Sequence, residues 1–283
     1  MSDAGAPMVL LGGQDIRELA ARYSVRPTKQ RGQNFVTDPN TVRMILTHAH
    51  LNADDCVVEV GPGLGSLTLA LLQTCAQVLA VEVDDTLARA LPETAAHRLP
   101  AAASRLHVVH ADALAVRDLP QAPTAMVSNL PYNVAVPVLL NFLERFLSIE
   151  RVLVMVQAEV ADRLAAKPGS RTYGVPSVKA QWYADVRKVA TIGRNVFWPA
   201  PNVDSALVLL QRRSQPDADR ARAFSLVDAG FAQRRKTLRS ALAAALGGAD
   251  VAAHTLTDAG IDPGARAEVL AVDDWARLAQ ACS

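Results

Sequence analysis

Between residues 56 and 157 the chain repeats one pattern, a short apolar run rich in β-branched residues followed by a stretch with helical periodicity. The runs occupy residues 56–60, 77–83, 106–110, 124–128 and 151–157. Continuous apolar runs of this length, rather than alternating ones, mark strands buried on both faces, the situation of a parallel sheet with helices on either side. Two more candidates, 183–192 and 206–211, are joined without a helix and read as an antiparallel edge pair. The expectation is an α/β fold with a seven-stranded, mostly parallel sheet. Helices are expected over 40–50 and 66–73, with a short one over 15–23 that Pro27 stops and a loose tail over 1–12 before it.

Near Arg213 the pattern changes. Ser214-Gln215-Pro216-Asp217 is polar and rich in breakers, and everything beyond it reads as helix, interrupted at Gly247-Gly248 and Gly260. Three segments follow: a tail with a short helix over 1–25, a main domain over 26–213 and a small all-helical C-terminal domain over 214–283.

Glu59-Val60-Gly61-Pro62-Gly63-Leu64-Gly65 lies between the first run and its helix, so glycines stand where the backbone must turn tightly and approach a ligand. Glu82 closes the next strand, 21 residues after Gly61. An acid there can accept hydrogen bonds from both ribose hydroxyls of an adenosine-containing cofactor. Asp112 ends the third strand and Asn129-Leu130-Pro131-Tyr132 the fourth, and ligands of open α/β sheets bind at such strand ends. Asp112 is read as an acceptor for an adenine amino group or as a helix N-cap.

The exocyclic nitrogen of adenine is a poor nucleophile because its lone pair is delocalised into the ring. Two aligned acceptors make it more tetrahedral. The side-chain oxygen of Asn129 and a backbone carbonyl, that of Leu130, can grip both amino hydrogens, while Pro131 removes a donor and sets the chain direction. Tyr132 then stacks on the base, an interaction worth roughly 1 to 3 kcal/mol. Such a site needs an activated methyl donor and no strong base. Asp38, Glu59 and Glu159 lie near these motifs, but capping a helix or binding backbone amides suits them equally, and no general base is assigned.

The 29 basic and 28 acidic residues leave a net charge of +1, so affinity for nucleic acid must come from where charges sit. Residues 22–43 hold five basic residues against one acid, and 212–239 hold eight against three, two stretches suited to phosphate contacts or to solvated helix faces. Over 233–239 helical spacing puts Arg235 and Arg239 on a common face. Three widely spaced cysteines, Cys56, Cys75 and Cys282, fit neither a disulfide framework nor a zinc site and suit a reducing cytoplasm. No stretch reaches the roughly 18 apolar residues of a membrane span.

From Arg26 onward the chain resembles the bacterial small-subunit (16S) ribosomal RNA adenine dimethyltransferase family. Residues 31–38 look like that family's N-terminal signature, 59–68 and 129–133 like its cofactor and target motifs, and 195–205, 231–239 and 260–268 like its C-terminal segments. The resemblance implies a Rossmann-like class I methyltransferase fold and dimethylation of two adjacent adenosines in the hairpin loop near the 3′ end of 16S RNA. It implies S-adenosylmethionine as donor, S-adenosylhomocysteine as product, no metal, and the immature small ribosomal subunit as partner of a cytoplasmic monomer. Donor contacts are implied at Asn34, Val36, Gly61, Glu82, Asp112 and Asn129, and Phe197 is implied to pair with Tyr132 around the target base. Two related activities compete: methylation of large-subunit RNA that confers antibiotic resistance, and a ribosome-assembly role in which binding outweighs chemistry. A nicotinamide oxidoreductase is a third, but it leaves Asn129-Leu130-Pro131-Tyr132 without a purpose.

Overall fold

The computed structural model describes residues 8–27 and 33–282. In chain order its strands are β1 (Phe35–Val36), β2 (Cys56–Val60), β3 (Gln77–Glu82), β4 (Leu106–His110), β5 (Ala125–Asn129), β6 (Arg151–Gln157), β7 (Ala184–Ile192), β8 (Phe197–Trp198) and β9 (Ser205–Arg212). The helices are α1 (Gly13–Arg22), α2 (Pro39–Ala49), α3 (Ser66–Leu72), α4 (Asp85–Arg98), α5 (Ala135–Arg145), α6 (Ala158–Leu164) and α7 (Val175–Tyr183). After β9 come α8 (Arg220–Ala232), α9 (Leu238–Ala241), α10 (Ala243–Leu246), α11 (Ala249–Asp258) and α12 (Val272–Ala281).

All seven expected strands lie in one sheet, ordered β4–β3–β2–β5–β6–β9–β7. The pairs β2/β3, β3/β4, β2/β5 and β5/β6 are parallel, and β9 runs antiparallel to β6 with Gln157 opposite Ser205. Burial on both faces is complete at β2, whose five residues are all enclosed. A two-stranded ladder pairs β1 with β8, Phe35 opposite Trp198 and Val36 opposite Phe197. Nothing in the sequence pattern marks it, because two residues carry no periodicity.

The N-terminal segment corrects one expectation. Val9 exchanges two hydrogen bonds with the Gln73 amide, at 2.8 and 2.9 Å, and Leu11 is fully buried, so residues 8–12 are anchored rather than loose. The apolar face of α1, carrying Ile16, Leu19 and Ala20, enters the same core as α3. Asp15 pairs with Arg98 on α4 at 2.8 Å. Residues 1–7 lie outside the described part.

The chain forms two compact units. The first holds residues up to Ala161 together with Lys188–Gln211, and the second holds Asp162–Arg187 and the chain from Arg212 onward. The second unit thus takes in α7, which the sequence places in the main domain. Its own contacts explain the grouping: Tyr173 donates to the Leu270 carbonyl at 2.9 Å, Lys179 pairs with Asp228 at 2.8 Å, and the Trp182 ring meets Phe224 edge-on at 5.6 Å. A linear boundary drawn where composition changes cannot register a segment that returns. No helix among the described residues is long and apolar enough to cross a membrane.

Candidate active site

The chain moves outward from β2 to β3 to β4, then returns to the other side of β2 as β5. Connections leaving β2 and β5 therefore diverge, and a crevice opens between the C-terminal ends of those strands. A cavity of about 700 Å³ lies there, in the range of small-molecule sites.

One wall is the glycine turn. Gly61, Gly63 and Gly65 have φ of 69°, 58° and 94°, a region where a side chain is strained, and Gly65 leads directly into α3. Gly61 is held to β3 by its N–H, which donates to the Val81 carbonyl at 2.9 Å. Below the turn Glu82 is 5% exposed. Its two oxygens accept hydrogen bonds from the Gly63 and Asp84 N–H groups at 3.3 and 2.9 Å, which aims the carboxylate into the cavity. Burial pushes its pKa up, opposed by those backbone donors. Asp84 itself caps α4 by accepting from Thr86 and Leu87.

The second wall is the arm around β1. Asn34, Phe35 and Val36 line the cavity. The Val36 carbonyl accepts the Ser66 hydroxyl at 2.6 Å, and the Asn34 carbonyl accepts the Asn129 side-chain N–H at 3.0 Å. The latter bond settles the Asn129 amide: its nitrogen is occupied by Asn34, and its oxygen is the atom left to act as acceptor. Of the sequence signature over 31–38, Arg31 and Gly32 lie outside the described residues, as does Lys29 of the basic stretch.

The third wall is the end of β5. Leu130 extends the strand by donating to the Met155 carbonyl at 3.1 Å, and Pro131 lies over Gly61, where an added Cβ would meet its ring at 3.5 Å. Val134 donates to the Pro131 carbonyl at 3.2 Å and turns the chain into α5. Tyr132 lines the cavity while its hydroxyl shares a 2.6 Å hydrogen bond with Ser205, and burial raises its pKa, so the phenol stays neutral. Asp112 also lines the cavity. It caps a turn, not a helix: its carboxylate accepts from Leu114 at 2.9 Å and its carbonyl from Ala115 at 2.8 Å.

Of the sequence-predicted residues, Asn34, Val36, Gly61, Glu82, Asp112, Asn129, Leu130, Pro131 and Tyr132 all meet at this one cavity. Phe197 does not. It is 4% exposed, paired with Val36 in the β1/β8 ladder and packed with the apolar core behind the arm. The acids near the motifs separate cleanly. Asp38 caps α2 through Asn40 and Thr41, and the Thr41 hydroxyl bond lowers its pKa. Glu159 sits in the first turn of α6. Glu59, which lines the cavity floor, accepts the Thr68 hydroxyl at 2.7 Å, and full burial raises its pKa to about 8. At neutral pH it is a carboxylic acid, unsuited to act as a strong base.

In the second unit the basic segment over 233–239 is not one helix but a turn after α8 that enters α9 at Leu238, so Arg235 in the turn and Arg239 in α9 share no helical face. Arg234 is committed to Glu268 at 2.9 Å and to the Arg171 carbonyl, and Arg239 pairs with Asp250 at 2.7 Å. Arg235 and Lys236 are exposed.

Comparison with known proteins extends this geometry to the whole chain. Relatives called ribosomal RNA small subunit methyltransferase A, from Streptomyces coelicolor and Thermobifida fusca, are 64% and 59% identical, covering 97% and 96% of this chain and the same shares of their own. Among solved structures, a dimethyladenosine transferase from Plasmodium falciparum shares the fold with a TM-score of 0.75 at 21% identity, over 86% of this chain and 95% of that one. The 23S rRNA methyltransferase ErmE reaches 0.66 at 28% identity, over 88% and 99%. The fold is thus the Rossmann-like one of RNA methyltransferases. A family model described as ribosomal RNA adenine dimethylase matches residues 26–283, through the glycine turn, Asn129-Leu130-Pro131-Tyr132 and both compact units, and the chain belongs to that family.

Proposed function

We propose that this chain transfers methyl groups from S-adenosylmethionine to the N6 amino groups of two adjacent adenosines in the 3′-terminal hairpin loop of 16S ribosomal RNA, acting on the immature small subunit in the cytoplasm as a monomer. One observation carries the reading. An asparagine whose amide orientation is settled by Asn34 stands at the strand end beside Gly61, in the same cavity as Glu82.

The donor fits the residues present. Glu82 would accept ribose hydroxyls with the lone pairs that the Gly63 and Asp84 N–H groups leave open, the glycine turn would admit a close approach where side chains obstruct, and Asp112 would offer a carboxylate for the adenine amino group. When bound, the donor supplies an already activated methyl group. The chain's work is positioning and electrostatics. Asn129 Oδ1 and the Leu130 carbonyl accept the two amino hydrogens of the target, raising the nitrogen's nucleophilicity, and Tyr132 stacks on the extruded base. With Glu59 neutral, the surplus proton leaves to water. Exposed Arg235 and Lys236 are phosphate contacts for the RNA.

Labelled methyl transfer to small subunits from cells lacking the modification, followed by mapping of the product nucleotides, tests this directly. Label on the paired adenosines is expected; label on large-subunit RNA instead would move the chain to the activity named for ErmE.

A further inference from the structure

Phe197 is in the core, and among the described residues lining the cavity only Phe35 and Tyr132 are aromatic. Phe35 is 7% exposed and stacked on Trp198, with ring centroids 6.2 Å apart. Tyr132 is the aromatic of the target motif in that lining, and what holds its ring bears on how well the base is placed.

The holding atom is on β9. As the strand antiparallel to β6, β9 begins where β6 ends, so its first residue arrives at the C-terminal edge of the parallel strands, beside the cavity. That residue is Ser205, fully buried. Its backbone is held on both sides: Gln157 opposes it in the ladder, and the preceding Asp204 accepts the Ala158 N–H through its carbonyl at 2.9 Å and the Arg194 N–H through its carboxylate at 3.1 Å. The Ser205 hydroxyl meets the Tyr132 hydroxyl at 2.6 Å. A ring tethered by its para oxygen to a rigid strand is held in the direction of its long axis, because swinging the side chain about χ1 would carry the hydroxyl away from its partner.

We propose that Ser205 is a positioning residue for the target adenine, acting through the Tyr132 hydroxyl to fix where the ring stands and which way its long axis points when the base stacks on it for methyl transfer. The inference rests on the methyltransferase reading above. It assigns the tyrosine hydroxyl to the protein and not to the base, so a phenylalanine at 132 keeps the stacking surface and loses its aim.

The test is a double-mutant cycle of Ser205→Ala and Tyr132→Phe, with turnover on unmodified small subunits, RNA KM, donor affinity and melting temperature measured for all four proteins. Each single change should lower kcat by about fivefold, the scale of one net hydrogen bond. RNA KM and donor affinity should hold within roughly twofold, and the double variant should match the weaker single, since both remove the same bond. Losses that multiply, or a Tyr132→Phe protein with unchanged kcat, overturn the proposal. The second outcome does so even if Ser205→Ala fails to fold. A wild-type chain that labels no RNA refutes the proposed function instead, which keeps the two failures distinct.

Discussion

Gly63→Ala tests whether the glycine turn and the β1 arm form one donor site. An added Cβ would stand 2.8 Å from Phe35 Cε1 and 2.9 Å from Cδ1. Ordinary carbon contacts begin near 3.5 Å, so the ring must retreat by roughly 0.7 Å. Phe35 is 7% exposed and stacked on Trp198, so little space lies behind it. Overpacking of this kind costs about 1 to 3 kcal/mol. The backbone adds about 1 kcal/mol, because φ at Gly63 is +58°. Gly169→Ala is the internal control: its φ is +84°, but nothing lies within 4 Å of its added Cβ, so it pays the backbone cost alone. Scanning calorimetry should show Gly63→Ala melting below Gly169→Ala by about 2 to 12 °C, at roughly 2 to 4 °C per kcal/mol for a chain this size. Titration with S-adenosylmethionine should show at least a tenfold weaker complex for Gly63→Ala, about 1.4 kcal/mol, because Asn34 and Val36 shift with Phe35. Equal melting of the two variants, or an unaltered donor affinity at Gly63→Ala, would refute the coupling of turn and arm.

Glu82→Ala should weaken donor binding by at least tenfold, about 1.4 kcal/mol, without altering affinity for the small subunit; calorimetry with donor alone decides it. The folded-state pKa of Glu59, about 8, stands above its ordinary 4.5, so this residue stabilises the fold fully below pH 4.5 and loses that contribution as the pH climbs through 8. Glu59→Gln, which mimics the protonated acid and keeps an acceptor for Thr68, should flatten the decline of melting temperature across that window, and parallel curves for the two proteins would remove the assignment. Arg235→Ala with Lys236→Ala should reduce the steepness with which salt weakens small-subunit binding, leaving the melting temperature unchanged; an unaltered slope takes this turn out of the RNA interface.

Legibility differed from element to element for physical reasons. The strands of the main sheet could be read because all but β7, which carries Asp185, Arg187 and Lys188, centre on an apolar run, and Gly61, Glu82, Asp112 and Asn129 could be grouped because ends of parallel strands meet on one edge whatever the detailed packing. The β1/β8 ladder could not be read, nor could the return of residues 162–187 to the second unit, since both depend on contacts far apart in the chain. Phe197 shows a related limit: an aromatic among prolines has the same local signature whether it plugs a core or faces a ligand. Ser205 belongs to a segment that resembles the family, yet its partner is set by the register of β9 against β6. The helix expected over 233–239 failed because four consecutive good helix formers, Gln233 to Lys236, occupy a turn that Arg234 pins to Glu268.

The anchoring of the N-terminal segment bears on where this protein can be cut. The family match starts at residue 26, and a worker choosing expression boundaries from it would discard Val9, Leu11 and α1. That trim would uncover the side of the core that Leu11, Ile16 and Leu19 close, and would remove both hydrogen bonds between Val9 and the Gln73 amide, leaving that amide its bond to the Leu69 carbonyl. Three aliphatic side chains at about 1.5 to 3 kcal/mol each amount to a large share of a domain's net stability. The span that a family model matches and the span that folds are separate quantities, and in this chain the second reaches back at least to Val9.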